Sequence, residues 1–400
     1  MRVLFVNQTG QMSGAEHSLL TLIDALAGHV EPAAAVPAGD LADALRTRGI
    51  PVHPIGGTDA SFRLHPLHTP WALGEIARAA GSLTRLTRRE GYSLVHANTT
   101  RAGLIAAASA RAGGPPIVTH VRDWFPPGRL SAGVLRWTVD RASAVIANSR
   151  FIAEQLPSGH GGTQIHVVHN PVDLGIFDPS GLDRGAARAT IGLDPSDEVL
   201  GVVGQLTPWK GQDDAVRIAA RLAPRRPGLR LVIAGSAKFA ARSTRFDNRA
   251  YAARLHELAR ELDVEHVVRF LGEREDVPMV LRALDLLLVP SWQEAFGRVA
   301  IEGMAMGVPV LATSRGGPPE VVRDRVDGRI LDPRDPERWA DVASGLLDDP
   351  GALLAMGRHG RARAAEAFGA PQHAAAVLAI YRSVLSDAIR VRRTGGLIRR

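Results

Sequence analysis

Short apolar runs recur along this chain, each leaving through a polar or glycine-bearing loop into a helix-compatible run, and that alternation restricts it to parallel α/β architecture. Val3 to Val6 opens the pattern, followed by the loop Asn7-Gln8-Thr9-Gly10-Gln11-Met12-Ser13-Gly14 and the helical run Ala15 to Ala27, with Ser13 as the expected N-cap. Further strands are predicted at Ala33 to Val36, Val52 to Ile55, Leu94 to His96, Ile117 to Asp123, Ala144 to Ile146 and Ile165 to Val168. Pro- and Gly-rich sequence from Asp178 to Asp197 then reads as a linker. Beyond it the pattern restarts with Val199 to Gly204, Leu231 to Gly235, Val267 to Leu271, Leu286 to Val289 and Val308 to Ala312. Two successive alternations imply two doubly wound domains, with a cleft between the C-terminal edges of their strands. Four hundred residues also exceed what one ordinary core can enclose.

The chemistry concentrates where strands hand over to loops. Leu286 to Val289 is a buried strand ended by Pro290, and Arg298 to Met306 reads as a helix closed by Gly307, so Glu294 falls in the loop and Glu302 about two turns into the helix. Met304, Ala305 and Ile301 around Glu302 imply burial, and a buried carboxylate needs a hydroxyl, amide or cation partner. Lys210 lies in the turn after Val199 to Gly204, a usual place for an anion, in a chain whose only other lysine is Lys238. In the first half, period two puts His120 and Arg122 on one face at the C-terminal end of their strand.

Composition removes several classes. Cysteine is absent, so there is no disulfide, thiol nucleophile or thiolate metal site. No apolar run approaches the roughly 18 residues of a spanning helix, and Met1 to Asn7 reads as a first strand rather than a signal peptide, so a cytoplasmic location is expected. The net charge of +7 suits anionic sugar nucleotides or an acidic membrane surface as well as simple solubility. Aromatic residues make up only 5% and no basic run interleaves with them, which argues against nucleic acid. The Arg-rich tail Arg390 to Arg400 reads as a frayed helix end, with weak peripheral contact at the inner membrane face as a further expectation. There is no H-E-x-x-H, no P-loop, no G-x-S-x-G elbow and no G-x-G-x-x-G fingerprint. No Asp-x-Asp pair stands ready to bridge a diphosphate through a metal, so cations and helix ends would have to neutralise it.

These residues together resemble the retaining glycosyltransferases of family 4. The resemblance is carried by Ser13-Gly14-Ala15-Glu16, Asn170-Pro171-Val172-Asp173, Gly204 through Lys210-Gly211, Ala234-Gly235-Ser236 and Phe270-Leu271-Gly272. It continues through Pro290-Ser291, the Glu294-Ala295-Phe296-Gly297 to Glu302 element, and Gly316-Gly317 with Glu320. The resemblance implies the GT-B fold of two facing Rossmann-like domains, at 1–175 and 176–370, with a C-terminal helix in 371–400 crossing back to the first. It implies transfer of a sugar from a UDP- or GDP-linked donor to an acceptor hydroxyl, with a nucleoside diphosphate sugar as co-substrate and no metal. Candidate acceptors are a sugar, a cyclitol, a lipid-linked intermediate or a specialised metabolite, received by first-domain loops near 59–69 and 124–129.

Residue by residue, the resemblance assigns Glu294 to the hydroxyls of the donor sugar, Glu302 to the ribose hydroxyls and Lys210 to the diphosphate. Gly14 belongs to the glycine-rich loop of the first domain, while Ala295, Phe296 and Gly297 supply backbone amides near the sugar or phosphate. Gly235, Leu271 and Arg298 complete the donor pocket. Two departures stand out. Gln205 occupies a position where many members carry a diphosphate-binding Arg, leaving Arg298 or a basic residue of 238–245 to compensate. Arg122-Asp123 stands where many members have a His before an Asp, which leaves His120 on the same face as the substitute, with Arg122 beside it, for the acceptor side. Rival readings are another GT-B reaction, such as nucleotide-sugar epimerisation or phosphorolysis, and a non-catalytic sugar-nucleotide-binding protein. The sequence leaves the oligomeric state open.

Overall fold

The computed structural model describes residues 1–58, 68–111, 113–125, 128–157, 163–238 and 246–397. Two compact units divide the chain: Met1–Pro171 together with Ala370–Arg400, and Val172–Gly369.

In the first unit, seven strands follow the chain as β1 (Arg2–Val6), β2 (Glu31–Val36), β3 (Val52–Pro54), β4 (Leu94–Ala97), β5 (Ile117–Val121), β6 (Ala144–Ala147) and β7 (Gln164–Val167). They pair in parallel in the order β3-β2-β1-β4-β5-β6-β7. Alternation along β1 explains why every residue after Arg2 is buried. Val3 and Phe5 face Leu19, Leu22, Leu41 and Leu45 on one side, while Leu4 and Val6 face Leu83, Ala102 and Ile105 on the other. The C-terminal helix, Ala370–Leu397, docks on the first of these faces through Ala374, Val377, Leu378, Tyr381 and Val384, a stripe at helical period.

The second unit repeats the plan with β8 (Glu198–Val203), β9 (Leu229–Ala234), β10 (Val268–Gly272), β11 (Leu286–Val289), β12 (Val310–Thr313) and β13 (Gly328–Leu331), all parallel, in the order β10-β9-β8-β11-β12-β13. Again two cores sandwich the sheet. Leu200, Val202, Leu231 and Ile233 face the helices Gln212–Leu222, Asn248–Glu261 and Pro336–Leu347, and Val199, Val232 and Ala234 face Val277–Ala283 and Arg298–Ala305.

Three expectations need correction. The stretch 178–197 is not a linker: it carries the helix Arg184–Thr190, whose Ala187 joins Ile191 and Leu193 in the second core. Arg188, almost wholly buried, donates to Asp285 (2.7 Å) and to the Ala283 carbonyl (3.1 Å), so this stretch, read as a linker from its prolines and glycines, is packed into the second unit. A sixth strand, β13, follows the Gly loop; a Cβ on Gly328 would come within 2.0 Å of the Val310 carbonyl oxygen, which is why glycine opens it. Finally, β5 ends at Val121, so Arg122 and Asp123 lie just beyond it. Among the described residues no helix is long and apolar enough to cross a membrane. Positions 59–67, 126–127 and 239–245, and the final residues of the Arg-rich tail, lie outside the described residues.

Candidate functional site

In each sheet the strand order reverses direction between two neighbours, β1 and β4 in the first unit and β8 and β11 in the second. Loops leaving the C-terminal ends of such strands diverge to opposite faces and open a crevice. In the second unit those loops carry Lys210 and Glu294.

Gly211 brings them together. Its φ of +72 suits glycine, and a Cβ there would lie 2.2 Å from the Pro290 carbonyl oxygen. The loop after β8 thus lies directly against the loop after β11, and Trp292 N–H donates to the Trp209 carbonyl at 2.9 Å. Lys210 Nζ meets Glu294 Oε2 at 2.5 Å, Ser291 Oγ donates to the same oxygen at 3.1 Å, and the ammonium lies 4.3 Å from the centre of the Trp209 ring. A third loop, after β12, holds Glu294 from behind. Glu294 N–H donates to the Arg315 carbonyl (3.0 Å), and the Glu294 carbonyl accepts from Gly317 N–H (2.9 Å). Glu294 is 7% exposed.

Gly316 makes this packing possible, with φ +106 and a Cβ position 1.9 Å from the Glu294 carbonyl oxygen. Gly316→Ala is therefore expected to cost about 3 kcal/mol and to displace Glu294. Urea unfolding should show the loss; a midpoint within error of the parent would contradict the packing described.

Downstream, Phe296 is anchored in the core, edge-on to Phe368 at 6.0 Å. Gly297, at φ +93, turns the chain into the helix Arg298–Ala305, which has no side-chain cap on its first turn. Glu302 is 4% exposed and 2.8 Å from Arg298; burial raises its pKa, and Arg298 partly opposes that rise. Arg298 is thus already paired, whereas Gln205 spends its side-chain amide on the Lys238 carbonyl (2.9 Å). Lys238 itself pairs with Glu273. Gly235 has φ +151 and lies against the Gly204 carbonyl, tying the loops after β9 and β8, and Leu271 packs half-buried in β10.

The first unit places its candidates differently. His120 is wholly buried and Arg122 is 5% exposed. Arg122 Nε donates to the Asn98 carbonyl (3.1 Å) and side chain (3.2 Å), Nη1 to Asn170 Oδ1, and Nη2 to His120 Nδ1 (3.1 Å). The two residues expected on one face do touch, yet inside the protein, where His120 packs against His96 and against His373 of the C-terminal helix. Gly14 opens the helix Gly14–Ala25 with Ser13 at the expected N-cap position, but the Ser13 hydroxyl makes no capping bond and donates to the Glu16 side chain. Sequence reading gave Ser291 and Asn98 no such contact and assigned no role to Asn7 or Glu16. The available signal was that Asn7, Asn98 and Arg122 each stand immediately after the last residue of a parallel strand.

Residues 12–175 match the family described as Glycosyltransferase Family 4, and residues 183–363 match Glycosyl transferases group 1. The chain belongs to the family 4, group 1 glycosyltransferases. Relatives within this group include the D-inositol 3-phosphate glycosyltransferase of Mycobacterium sp. strain KMS, 37% identical over 79% of this chain and 66% of its own length. Another is the protein of that name from Mycobacterium bovis strain BCG, 35% identical over 82% of this chain and 64% of its own. The chain therefore spans a little under two thirds of these relatives. Among solved structures, Anabaena HepE in complex with UDP and glucose superposes with a TM-score of 0.80, at 27% identity, over 96% of this chain and all of that one. Sucrose-phosphate synthase of Thermosynechococcus elongatus shares the fold, with a TM-score of 0.79 at 19% identity over 96% and 99% of the two chains. Both units are covered by these likenesses, and the fold is of the GT-B class.

Proposed function

We propose that the protein is a retaining, metal-independent glycosyltransferase that moves a sugar from a nucleoside diphosphate sugar to an acceptor hydroxyl. The observation carrying this reading is the Lys210–Glu294 pair at the second sheet's reversal point, with Glu302 buried in the helix that follows. A cation suited to a diphosphate and a carboxylate suited to sugar hydroxyls stand side by side, so a single ligand can engage both, while Glu302 offers a carboxylate to a ribose diol. Of the UDP- and GDP-linked donors, uridine is favoured because HepE was solved with UDP and with UDP-glucose. Among the candidate acceptors a cyclitol or its phosphate is favoured by the names of the mycobacterial relatives.

In this reading the bond between the sugar's anomeric carbon and the β-phosphate oxygen breaks as the acceptor oxygen attacks from the same face. The acceptor's proton passes to the departing diphosphate. Lys210 and the uncapped first turn of the helix Arg298–Ala305 stabilise the charge that develops there. No protein nucleophile is required. The metal-independent part rests on the missing Asp-x-Asp pair.

A thermal-shift series over UDP, GDP and TDP tests the donor base; a ligand at 100 times its dissociation constant stabilises by about 2.7 kcal/mol. Labelled UDP-glucose with inositol or inositol 3-phosphate then tests transfer. An α-linked product from the α-linked donor, formed equally in the presence of EDTA, is expected. Rearranged donor without acceptor would mark an epimerase, an inverted product or EDTA-sensitive turnover would overturn the mechanism, and binding without turnover would leave only a sugar-nucleotide-binding protein.

A further inference from the structure

At the reversal point of the first sheet, between β1 and β4, a buried hydrogen-bonded chain connects a carboxylate to a guanidinium. Glu16, in the first turn of the helix Gly14–Ala25, is 1% exposed. Its Oε1 accepts from Asn7 Nδ2 at 2.9 Å and its Oε2 from the Ser13 hydroxyl. Asn7 Oδ1 in turn accepts from Asn98 Nδ2 at 3.1 Å, and Asn98 Oδ1 accepts from Arg122 Nε at 3.2 Å. Asn7 and Asn98 are fully buried.

The direction of every bond in this chain follows from its ends. An ionised carboxylate only accepts and a guanidinium only donates. Asn7 must therefore turn its amino group to Glu16 and its carbonyl oxygen to Asn98. Asn98 must turn its amino group to Asn7 and its oxygen to Arg122. Each asparagine has two nearly isosteric orientations, and the charged ends select the same one as the acceptor-only carbonyls of Thr9 and Ala15 do. Asn98 Nδ2 also donates to the Ala15 carbonyl at 3.3 Å, so the selected orientation ties the helix's first turn to β4. Asn7 Nδ2 donates as well to the Thr9 carbonyl at 2.9 Å, which holds the loop that leads to Gly14.

We propose that Glu16 is a positioning residue: its acceptor-only carboxylate, acting with the Thr9 and Ala15 carbonyls, fixes the polarity of the Asn7–Asn98–Arg122 chain and thereby holds the guanidinium of Arg122 and the 7–14 loop in one arrangement. This deepens the glycosyltransferase reading and rests on it, since the resemblance makes Arg122 a candidate for the acceptor side and places Gly14 in the glycine-rich loop of the first domain. Glu16 acts through these neighbours and is not itself assigned a contact with substrate.

Polarity and shape make opposite demands on position 16, and a pair of substitutions separates them. Glu16→Gln keeps the shape but loses the charge and can donate, so position 16 no longer enforces the orientation of Asn7 and the Thr9 carbonyl is left to hold it. Glu16→Asp keeps an acceptor-only charge but is one methylene shorter. The proposal expects Glu16→Gln to lower kcat by tenfold or more with donor KM changed less than twofold, and Glu16→Asp to retain more of the parent turnover than Glu16→Gln. The reverse order, with the isosteric Gln better tolerated than Asp, would assign Glu16 to packing and overturn the proposal.

An independent readout needs no turnover: the NMR signals of the Arg122 Nε–H and of the Asn7 and Asn98 side-chain amides should move in Glu16→Gln and stay near parent positions in Glu16→Asp. Unmoved signals in Glu16→Gln would also overturn the proposal. Should the parent protein transfer no sugar, the functional reading fails, while the NMR arm still decides whether Glu16 orients the chain. Should Glu16→Gln not fold, failure of Glu16→Asp to keep the Arg122 signal in place would count against the proposal.

Discussion

Lys210→Ala is expected to lower turnover about 100-fold, the usual cost of removing one well-placed group that stabilises charge in a transition state, or roughly 2.7 kcal/mol. Two consequences of the substitution combine. The departing diphosphate loses the cation nearest to it in the proposed complex, and Glu294 loses its 2.5 Å ion-pair partner, keeping, among the described residues, Ser291 as its side-chain donor. Glu294 is nearly buried, so a carboxylate deprived of this partner would rearrange, which degrades contact with sugar hydroxyls. Lys210→Arg is expected to recover only part of the loss. An ammonium packed beside Trp209 acts as a compact point charge, whereas a guanidinium brings a planar fork with different hydrogen-bond directions. Steady-state kinetics with saturating acceptor, alongside calorimetric UDP binding, measure this. Turnover of Lys210→Ala within twofold of the parent would remove Lys210 from the site.

The second large effect concerns acid. His96, His120 and His373 are all buried where β4 and β5 meet the C-terminal helix, with ring centres 5.7 Å apart for the first pair and 6.1 Å for the second. Tyr381 Oη bonds His96 Nδ1 at 2.7 Å, His373 Nδ1 donates to the His169 carbonyl at 2.7 Å, and Arg122 donates to His120 Nδ1. Burial first, and the Arg122 charge second, push His96 and His373 down to about 3 and hold His120 well below its ordinary value. All three are therefore neutral in the fold but titrate near 6.5 once unfolded. Below that pH the unfolded chain binds more protons than the folded one, so stability is full above about pH 6.5 and falls as pH falls toward 3. Each histidine contributes up to about 1.4 kcal/mol per pH unit, and the three together about 6 kcal/mol between pH 7 and pH 5. That is comparable with the whole stability of a typical domain, about 5–15 kcal/mol. Hydrogen-exchange protection of β4 and β5 should record the fall. His373→Phe should shrink it by about 2 kcal/mol, and an unchanged pH dependence in that variant would refute the assignment.

The same cluster shows what sequence reading reached and what it did not. Strands and the helices between them were legible because parallel strands buried on both faces are written as continuous apolar runs, and Val3 to Val6 or Leu286 to Val289 allow no other reading. Gly307 likewise marks the end of a helical segment by adopting φ +71. Failures came where a polar or charged residue is satisfied by something distant in sequence. The prolines and glycines of 178–197 read as a linker, while what packs it inside includes Arg188 against Asp285, 97 residues away. β13 was instead hidden for a local reason: its four residues begin with Gly328 and Arg329, which break the apolar run, and Arg329 pairs with the nearby Asp324.

By itself, the sequence determined two parallel α/β units, placed Lys210, Glu294 and Glu302 in the elements where they are found, and carried the family resemblance. Local periodicity and loop chemistry suffice for that, because burial on two sheet faces and glycine at positive φ are properties of a few neighbouring residues. Only tertiary structure decided that Lys210 pairs with Glu294, that Arg298 is committed to Glu302, and that Arg122 and His120 are interior groups joined to Glu16 and to the C-terminal helix. Those contacts depend on which strand ends become neighbours when the sheet order reverses. A buried polar group takes its partner from whatever the fold brings within hydrogen-bond distance, not from its neighbours along the chain.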